Sequence, residues 1–410
     1  MKIAIVINTY IVTSPGEKSP FDHPTPLWLF EKENTLKASL ESLRDANRRA
    51  EDEYTLYLFG IAANERIDFD QEIEQKIKKI VENVGGLPRV HVISNRQVAD
   101  FRQQTEIEFF ESSGYPEIRN LGFLIPFMFH EDVIMQLDDD ELIRENHLVR
   151  FAELFEKNPE YGIVTAPYEQ NGSRRIIGED PLTTWKKVSS MDADLKKLLS
   201  TDDCSQTLFG LGGNLCIRSS VAKEIFYPRK VPRGEDFSLL LAARLLYENG
   251  DLRMKIKPGN RLFLTWFCSE KDVTILHQPP ISEREDFLRS FENNIRRFIL
   301  ERQMVMTQKK FTLSDLKDSS QYLYAMFGQE DFRRQILDWI DTIRMEREDV
   351  TDMKQLNEME ERLLVFLEGV EKEPRWSNYL EERRRFSKGQ AWLAQCDQEE
   401  LLMKIGGWIK

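Results

Sequence analysis

Val133-Ile134-Met135-Gln136-Leu137-Asp138-Asp139-Asp140-Glu141 is an apolar run, too short for a helix of its own, that stops in four consecutive acids. It reads as a buried strand that delivers carboxylates to one edge of a sheet. In open α/β sheets the ligand crevice lies beyond the carboxyl ends of the strands, so a strand ending in acids marks a candidate site. Crowded carboxylates are costly unless a cation neutralises them, and hard oxygen donors suit Mg²⁺ or Mn²⁺. Side-chain alternation along an extended segment would point Asp138 and Asp140 the same way, a spacing able to share one metal. The plainer alternative is a solvated acidic loop after a strand, and only further matching features decide between them.

Further features are present. Arg119-Asn120-Leu121-Gly122 precedes the strand; Gly212-Gly213-Asn214-Leu215-Cys216-Ile217-Arg218 follows it; Gly234-Glu235-Asp236 opens an apolar helix; Val273-Thr274-Ile275-Leu276-His277 reads as a late strand ending in histidine. With Leu137-Asp138-Asp139-Asp140-Glu141, these segments resemble, in the usual order, the Asp-x-Asp signature and companion motifs of nucleotide-sugar glycosyltransferases of the GT-A fold, particularly the family 2 type. The resemblance spans residues 1 to 280. It implies a Rossmann-like, mostly parallel central sheet, a nucleoside-diphosphate sugar (UDP- or GDP-linked) as donor and a hydroxyl acceptor such as a sugar, a glycan or a glycerate-like molecule. It implies Mn²⁺ or Mg²⁺ held by Asp140 and His277, with Asp138 on the ribose or the metal. Asp236 would be the general base of an inverting hexosyltransferase, with Glu235 beside it. A retaining enzyme acting on a small acceptor and a non-catalytic sugar-nucleotide-binding scaffold stay open as alternatives. The further contacts expected for the nucleotide sugar are Asn8, Thr9, Tyr10, Asn64, Arg119, Asp139, Gly213 and Asn214. Asn64 stands where family members often carry an Asp after the second strand.

Length and composition bound the rest. At 410 residues the chain can hold a large core and two domains. A net charge of −13 argues against a phosphate-backbone binder, so no nucleic acid is expected as partner. The N-terminal apolar run is too short for a secretory h-region, and no stretch approaches the ~20 residues that span a bilayer. Cys204, Cys216, Cys268 and Cys396 are scattered and form no Cys-x-x-Cys pair, so neither zinc nor a disulfide framework is indicated and a reducing cytoplasm is the expected home.

The first part alternates strand and helix. Ile3 to Asn8, Tyr54 to Gly60, Val90 to Ile93 and Tyr161 to Ala166 read as strands, with a helix on Leu36, Leu40 and Leu43 capped by Asn34 and another on Ile73, Ile77 and Ile80. Arg119 is expected just ahead of a helix over Leu121 to Phe129. The stretch from 168 to 210 resists assignment and is expected to select the acceptor. Fifteen of the sixteen prolines precede residue 281, which places a boundary near Pro279-Pro280 between a catalytic domain, 1–280, and an all-α domain, 281–410. Phe287, Leu288, Phe291, Ile295, Phe298 and Ile299 form one apolar stripe, and Leu356, Met359, Leu363, Phe366 and Val370 another. These faces are expected to pack on the sheet or to form a homo-oligomer. Residues 281–410 carry 22 Lys+Arg against 26 Asp+Glu, near balance rather than a basic arm. Arg383-Arg384-Arg385, Lys388, Trp392, Leu401, Leu402, Ile405 and Trp408 supply the alternative of peripheral membrane contact.

Overall fold

Lys2–Val12 is the central strand, and its residues alternate between two apolar layers. Ile3, Ile5, Ile7 and Ile11 enter one layer with Leu36, Leu40, Ile73 and Ile77, while Ala4, Val6 and Tyr10 enter the other with Leu121, Leu124 and Leu240. A strand buried on both faces needs this unbroken run of apolar residues, which is why it stood out in the sequence. The computed structural model describes residues 1–21, 24–176, 178–201, 204–252, 264–279, 286–347, 352–397 and 408–409.

Glu53–Ala62 and Val133–Asp138 pair in parallel on either side of the central strand, and Arg89–Ser94 lies in parallel beyond Glu53–Ala62. The register sets Asn8 opposite Asp138 and Thr9 opposite Gly60. On the far side of the acidic strand the sheet changes character. Leu215–Arg218 inserts antiparallel between Val133–Asp138 and Ile163–Thr165, followed by Thr265–Phe267 and the edge strand Ser205–Gln206. Trp408–Ile409 closes the opposite edge, antiparallel to Arg89–Ser94. The sheet is thus mostly parallel in an α/β fold, with a helical C-terminal region. Strands one and two run longer than their apolar cores suggested, and the fifth is shorter, Ile163–Thr165 rather than Tyr161 to Ala166.

Two boundaries differ from expectation in ways that matter. The helix begins at Tyr115, so Arg119 lies inside it rather than ahead of it. Its first turn contains Pro116 and Glu117, which suit a helix start and extend it upstream of the apolar run. His277 ends a strand of a separate three-stranded sheet made of Glu141–Leu142, Ile275–His277 and Tyr168–Glu169. The helix Leu36–Asp45 has Thr35 at its N-cap, one residue beyond the expected Asn34, whose Oδ1 still accepts the Lys37 N–H at 3.2 Å.

From Phe287 onward the described residues form six helices, ending with Arg375–Leu393. Pro280 and Leu401, Leu402 and Ile405 lie outside the described residues. The helices share one apolar cluster with the sheet's second layer: Phe298 and Tyr379 belong with Phe123 and Leu240. Tyr379 stacks on Phe226 at 4.7 Å, and Trp185 packs on Phe291 and Trp339, both at 4.8 Å. The stripe from Phe291 to Ile299 is consumed within the chain. Arg383, from the basic run, is buried against Glu224, and Arg385 pairs with Glu108 at 3.1 Å. No helix among the described residues is long and apolar enough to cross a membrane.

Two histidines are buried in this framework without becoming charged. His91 stacks on Tyr57 at 5.1 Å, and burial lowers its pKa from 6.5 to about 4, with Arg89 adding to the effect. Burial lowers His147 further, to about 3. A histidine depressed in the fold stays neutral while the unfolded chain takes up a proton, so its contribution is complete above pH 6.5 and is lost as pH falls toward the folded value. Relative to the wild type, His91→Phe is expected to gain about 3 kcal/mol between pH 7 and pH 4. Denaturant titrations at the two pH values check this, and a difference that stays constant would contradict it.

Candidate active site

The carboxyl ends of Lys2–Val12 and Val133–Asp138 open into a cleft with a volume of about 320 Å³. Its walls include Tyr10, Tyr115, Arg119, Asp138, Asp139 and Asp140, with Glu235, Asp236 and His277 facing them. All five segments singled out in the sequence meet here through the fold.

Arg119 is 2% exposed and bridges two of them. Its Nη2 donates to Asp138 Oδ2 at 2.7 Å and its Nε to Glu235 Oε1 at 3.4 Å. The rest of the Arg119-Asn120-Leu121-Gly122 segment explains how the arginine is aimed. Asn120 clamps the backbone of Tyr227 with two hydrogen bonds, 2.8 and 3.0 Å, and Gln136 donates to the Arg119 carbonyl at 2.8 Å. A Cβ at Gly122 would sit 2.6 Å from Gln136 Nε2, so glycine lets the helix lie against the acidic strand.

The four acids separate. The strand ends at Asp138, so alternation no longer governs Asp140, and the two carboxylates take different partners. Asp138 turns to Arg119, whereas Asp140 Oδ2 lies 3.3 Å from His277 Nε2. The neighbouring sheet makes that approach: His277 pairs with Glu141, and the Gln278 N–H donates to the Asp140 carbonyl at 2.8 Å. Asp139 accepts the Thr9 hydroxyl, and loss of water contact together with the Asp140 carboxylate raises its pKa. Glu141 folds back to accept the Asp138 N–H at 2.9 Å and fills the space where a Gly213 side chain would stand. Among the described residues no group of three or more His, Cys, Asp or Glu is arranged to hold a metal ion.

Several expected contacts lie outside the cleft. Asn8 is fully buried beneath it: it shares a face with Tyr10, but Tyr10 stands two residues nearer the strand end and lines the site. Thr9 faces the other layer and reaches the site only through Asp139. Asn64 ties down the loop after the first strand, donating to Glu17 at 2.9 Å and to the Lys18 carbonyl at 3.1 Å. Asn214 is buried and donates to the carbonyls of Pro167 and Val273. Gly213 borders the site through its N–H, which donates to the Tyr168 hydroxyl at 2.7 Å. From the unassigned stretch the helix Lys187–Leu199 brings Lys187 and Met191 to the cleft wall.

The acid pair Glu235–Asp236 opens the helix Glu235–Asn249, and each carboxylate is about nine-tenths buried. Burial raises Glu235 to about 7, Arg119 opposing and Asp236 adding to the rise. Burial also raises Asp236, against Arg297 and the Gly212 N–H, which donates to its Oδ2 at 2.9 Å. Arg297, Asn294 and Tyr322 come from the helical C-terminal region and line the same cleft. The sequence reading missed them. Arg297 is 2% exposed, donates to the Tyr322 hydroxyl at 2.7 Å and pairs with Glu301 at 3.3 Å. A side chain at Gly234, whose φ is +64°, would collide with this guanidinium. The signal was in the sequence: Asn294, Arg297 and Glu301 recur at three-four spacing inside the apolar stripe Phe291, Ile295, Phe298, where surface charges do not belong.

No protein-family model matches the sequence, and no curated protein matches it. Among solved structures the chain is similar to S. aureus TarS 1-349, at 12% identity over 94% of this chain and 92% of that one, with a TM-score of 0.46. It is also similar to the mannosyltransferase PcManGT from Pyrobaculum calidifontis in complex with GDP-Man and Mn²⁺, at 10% identity over 97% of this chain and 87% of that one, with a TM-score of 0.45. At such scores and identities these likenesses carry no weight.

Removing Arg297 leaves Glu301 and Asp236 buried without their guanidinium. Arg297→Met is expected to lose about 3–5 kcal/mol of stability, and adding Glu301→Leu to recover part of it. Denaturant titration of the two variants checks this; equal stability of the single variant and the wild type would show that the pair is not a strong constraint.

Proposed function

We propose that the cleft transfers a hexosyl group from a nucleoside-diphosphate sugar to a hydroxyl acceptor, on a GT-A fold of the family 2 type. The observation that carries this reading is the convergence of Arg119, Asp138–Asp140, Gly212–Gly213, Glu235–Asp236 and His277 on one cleft at the carboxyl end of the parallel strands. These segments are far apart in the chain, and an acidic surface loop would give no reason for them to meet.

The residues divide the work. Tyr10 and Tyr115 form an aromatic edge, 5.0 Å between ring centroids, against which a nucleoside would lie. Asp140 and His277 offer one carboxylate oxygen and one imidazole nitrogen, and these two would hold Mn²⁺ or Mg²⁺ beside the donor. Such an ion would supply positive charge to the departing diphosphate. Asp138 is held by Arg119, which leaves it to orient the ribose rather than to complete the ion's shell. Asp236 is the general base: its carboxylate lines the cleft, and burial gives it the raised affinity for a proton that the role needs. Arg297 and the Gly212 N–H oppose that rise, and the Gly212 hydrogen bond fixes the carboxylate in place. With a separate base on the acceptor side, the reaction inverts the anomeric carbon.

Asp236→Asn is expected to keep donor binding and to lower transfer by about a hundredfold or more. Measuring both on one preparation tests this, and near-normal turnover would remove Asp236 from the role. Removing Arg297 raises the proton affinity of Asp236, so in Arg297→Lys, where a shorter cation replaces the fork, the acid limb of the pH–rate profile should move upward while donor affinity stays. An unchanged limb would show that Arg297 acts on stability alone.

Calorimetric titration with UDP and GDP, with and without Mn²⁺, addresses the ion. Mn²⁺ should strengthen binding of one of the two nucleotides, and Asp140→Ala and His277→Ala should each abolish the strengthening while the protein stays folded. A full metal effect in His277→Ala would exclude that ligand, and in both variants would exclude the assignment of the site.

A further inference from the structure

Cys204 and Cys268 are 64 positions apart in the sequence, but the sheet makes them neighbours. Gln206 lies opposite Trp266 and Ser205 opposite Phe267 in the antiparallel pair at the sheet edge. One more step of that register sets Cys204 opposite Cys268. The kind of site also follows from the ladder. The Thr207 N–H donates to the Thr265 carbonyl at 3.1 Å, so Thr207–Thr265 and Ser205–Phe267 are the hydrogen-bonded pairs, and Cys204–Cys268 falls on the alternate, non-bonded site. Consistently, the Cys268 N–H turns to the other neighbouring strand and donates to the Thr165 carbonyl at 2.8 Å. Facing residues at non-bonded antiparallel sites have Cα atoms about 4.5 Å apart, inside the span of a disulfide, about 4.4–6.8 Å.

The two thiols differ in the way that an exchange reaction needs. Cys204 is half-buried and Cys268 fully buried. The Cys268 thiol donates to Cys204, which lowers the Cys204 pKa, with the Tyr161 hydroxyl as a second donor, and raises that of Cys268. Cys204 is therefore the sulfur that both reaches solvent and carries thiolate character, while Cys268 waits behind it. Cys216 and Cys396 occupy other places: Cys216 is buried in the strand Leu215–Arg218, and Cys396 follows the last described helix.

We propose that Cys204 and Cys268 form a thiol–disulfide exchange site that takes small organic disulfides of the glutathione class. The Cys204 thiolate, its proton gone to solvent, attacks one sulfur of the small disulfide. A protein mixed disulfide forms and one small thiolate leaves. The Cys268 sulfur then attacks the Cys204 sulfur, the Cys204–Cys268 bond forms, and the second small thiolate departs with the Cys268 proton. Two protein thiols are oxidised and one small disulfide is reduced to two thiols. The bond ties the edge strand Ser205–Gln206 to Thr265–Phe267, and the chain runs on from that edge to Gly212, whose N–H holds Asp236. The proposal does not depend on the reaction assigned to the cleft.

The test treats the folded protein with oxidised glutathione and takes the intact mass, then unfolds it, alkylates the remaining thiols and maps the peptides. The expected result is a mass lower by two hydrogens, a peptide pair joined through Cys204 and Cys268, and alkylated Cys216 and Cys396. In Cys268→Ala the glutathione adduct should instead persist on Cys204. A stable adduct on Cys204 in the wild type, a bond to Cys216 or Cys396, or no reaction at either cysteine would each overturn the proposal.

Discussion

The ion pairs of Arg119 hold the cleft together. A guanidinium removed from water is costly unless carboxylates surround it, and here one comes from the end of a strand and the other from the start of a helix far along the chain. The same requirement runs backward. Asp138 and Glu235 are tolerable at that depth because the arginine lies between them, and their separation is fixed by its reach. The surrounding helix is set to serve this geometry: Asn120 grips the Tyr227 backbone, Gly122 admits the strand, and Gln136 ties the Arg119 carbonyl to that strand.

A second guanidinium repeats the device from the other side. Arg297 meets the acid pair through Gly234, whose missing side chain makes room for it, and its own partners Glu301 and Tyr322 lie in the helical region. The boundary suggested by proline usage therefore separates two styles of secondary structure but not two sets of side chains. The carboxylates at the start of Glu235–Asn249 face one cation from each side of it.

How much of this was legible depends on whether a signal is local. The strands Lys2–Val12, Glu53–Ala62 and Val133–Asp138 announce themselves because burial on both faces demands unbroken apolar runs. The meeting of Asp140 with His277 was also expected, though through a second small sheet that no local pattern betrays, since its strands are two and three residues long. Asn8 and Asn64 lie away from the cleft for opposite reasons: one shares a face with Tyr10 but lies a step too deep, and the other is occupied by a loop carboxylate that sequence adjacency does not reveal. Arg297 was hidden in plain view, a charge on an apolar stripe. The Cys204–Cys268 pair was invisible because register, not spacing, makes it.

The placement of Arg297 has a bearing on how the chain is made. Synthesis proceeds from the amino end towards the carboxyl end, so the strand acids, Arg119 and the Glu235–Asp236 pair all leave the ribosome before the helices that carry Arg297 and Tyr322. During that interval the pair has the guanidinium of Arg119 but lacks that of Arg297, the surface destined for Phe298 and Tyr379 is bare, and the acid pair stays open to water. The tuned state of the cleft is thus a property of the completed polypeptide, withheld from the nascent one.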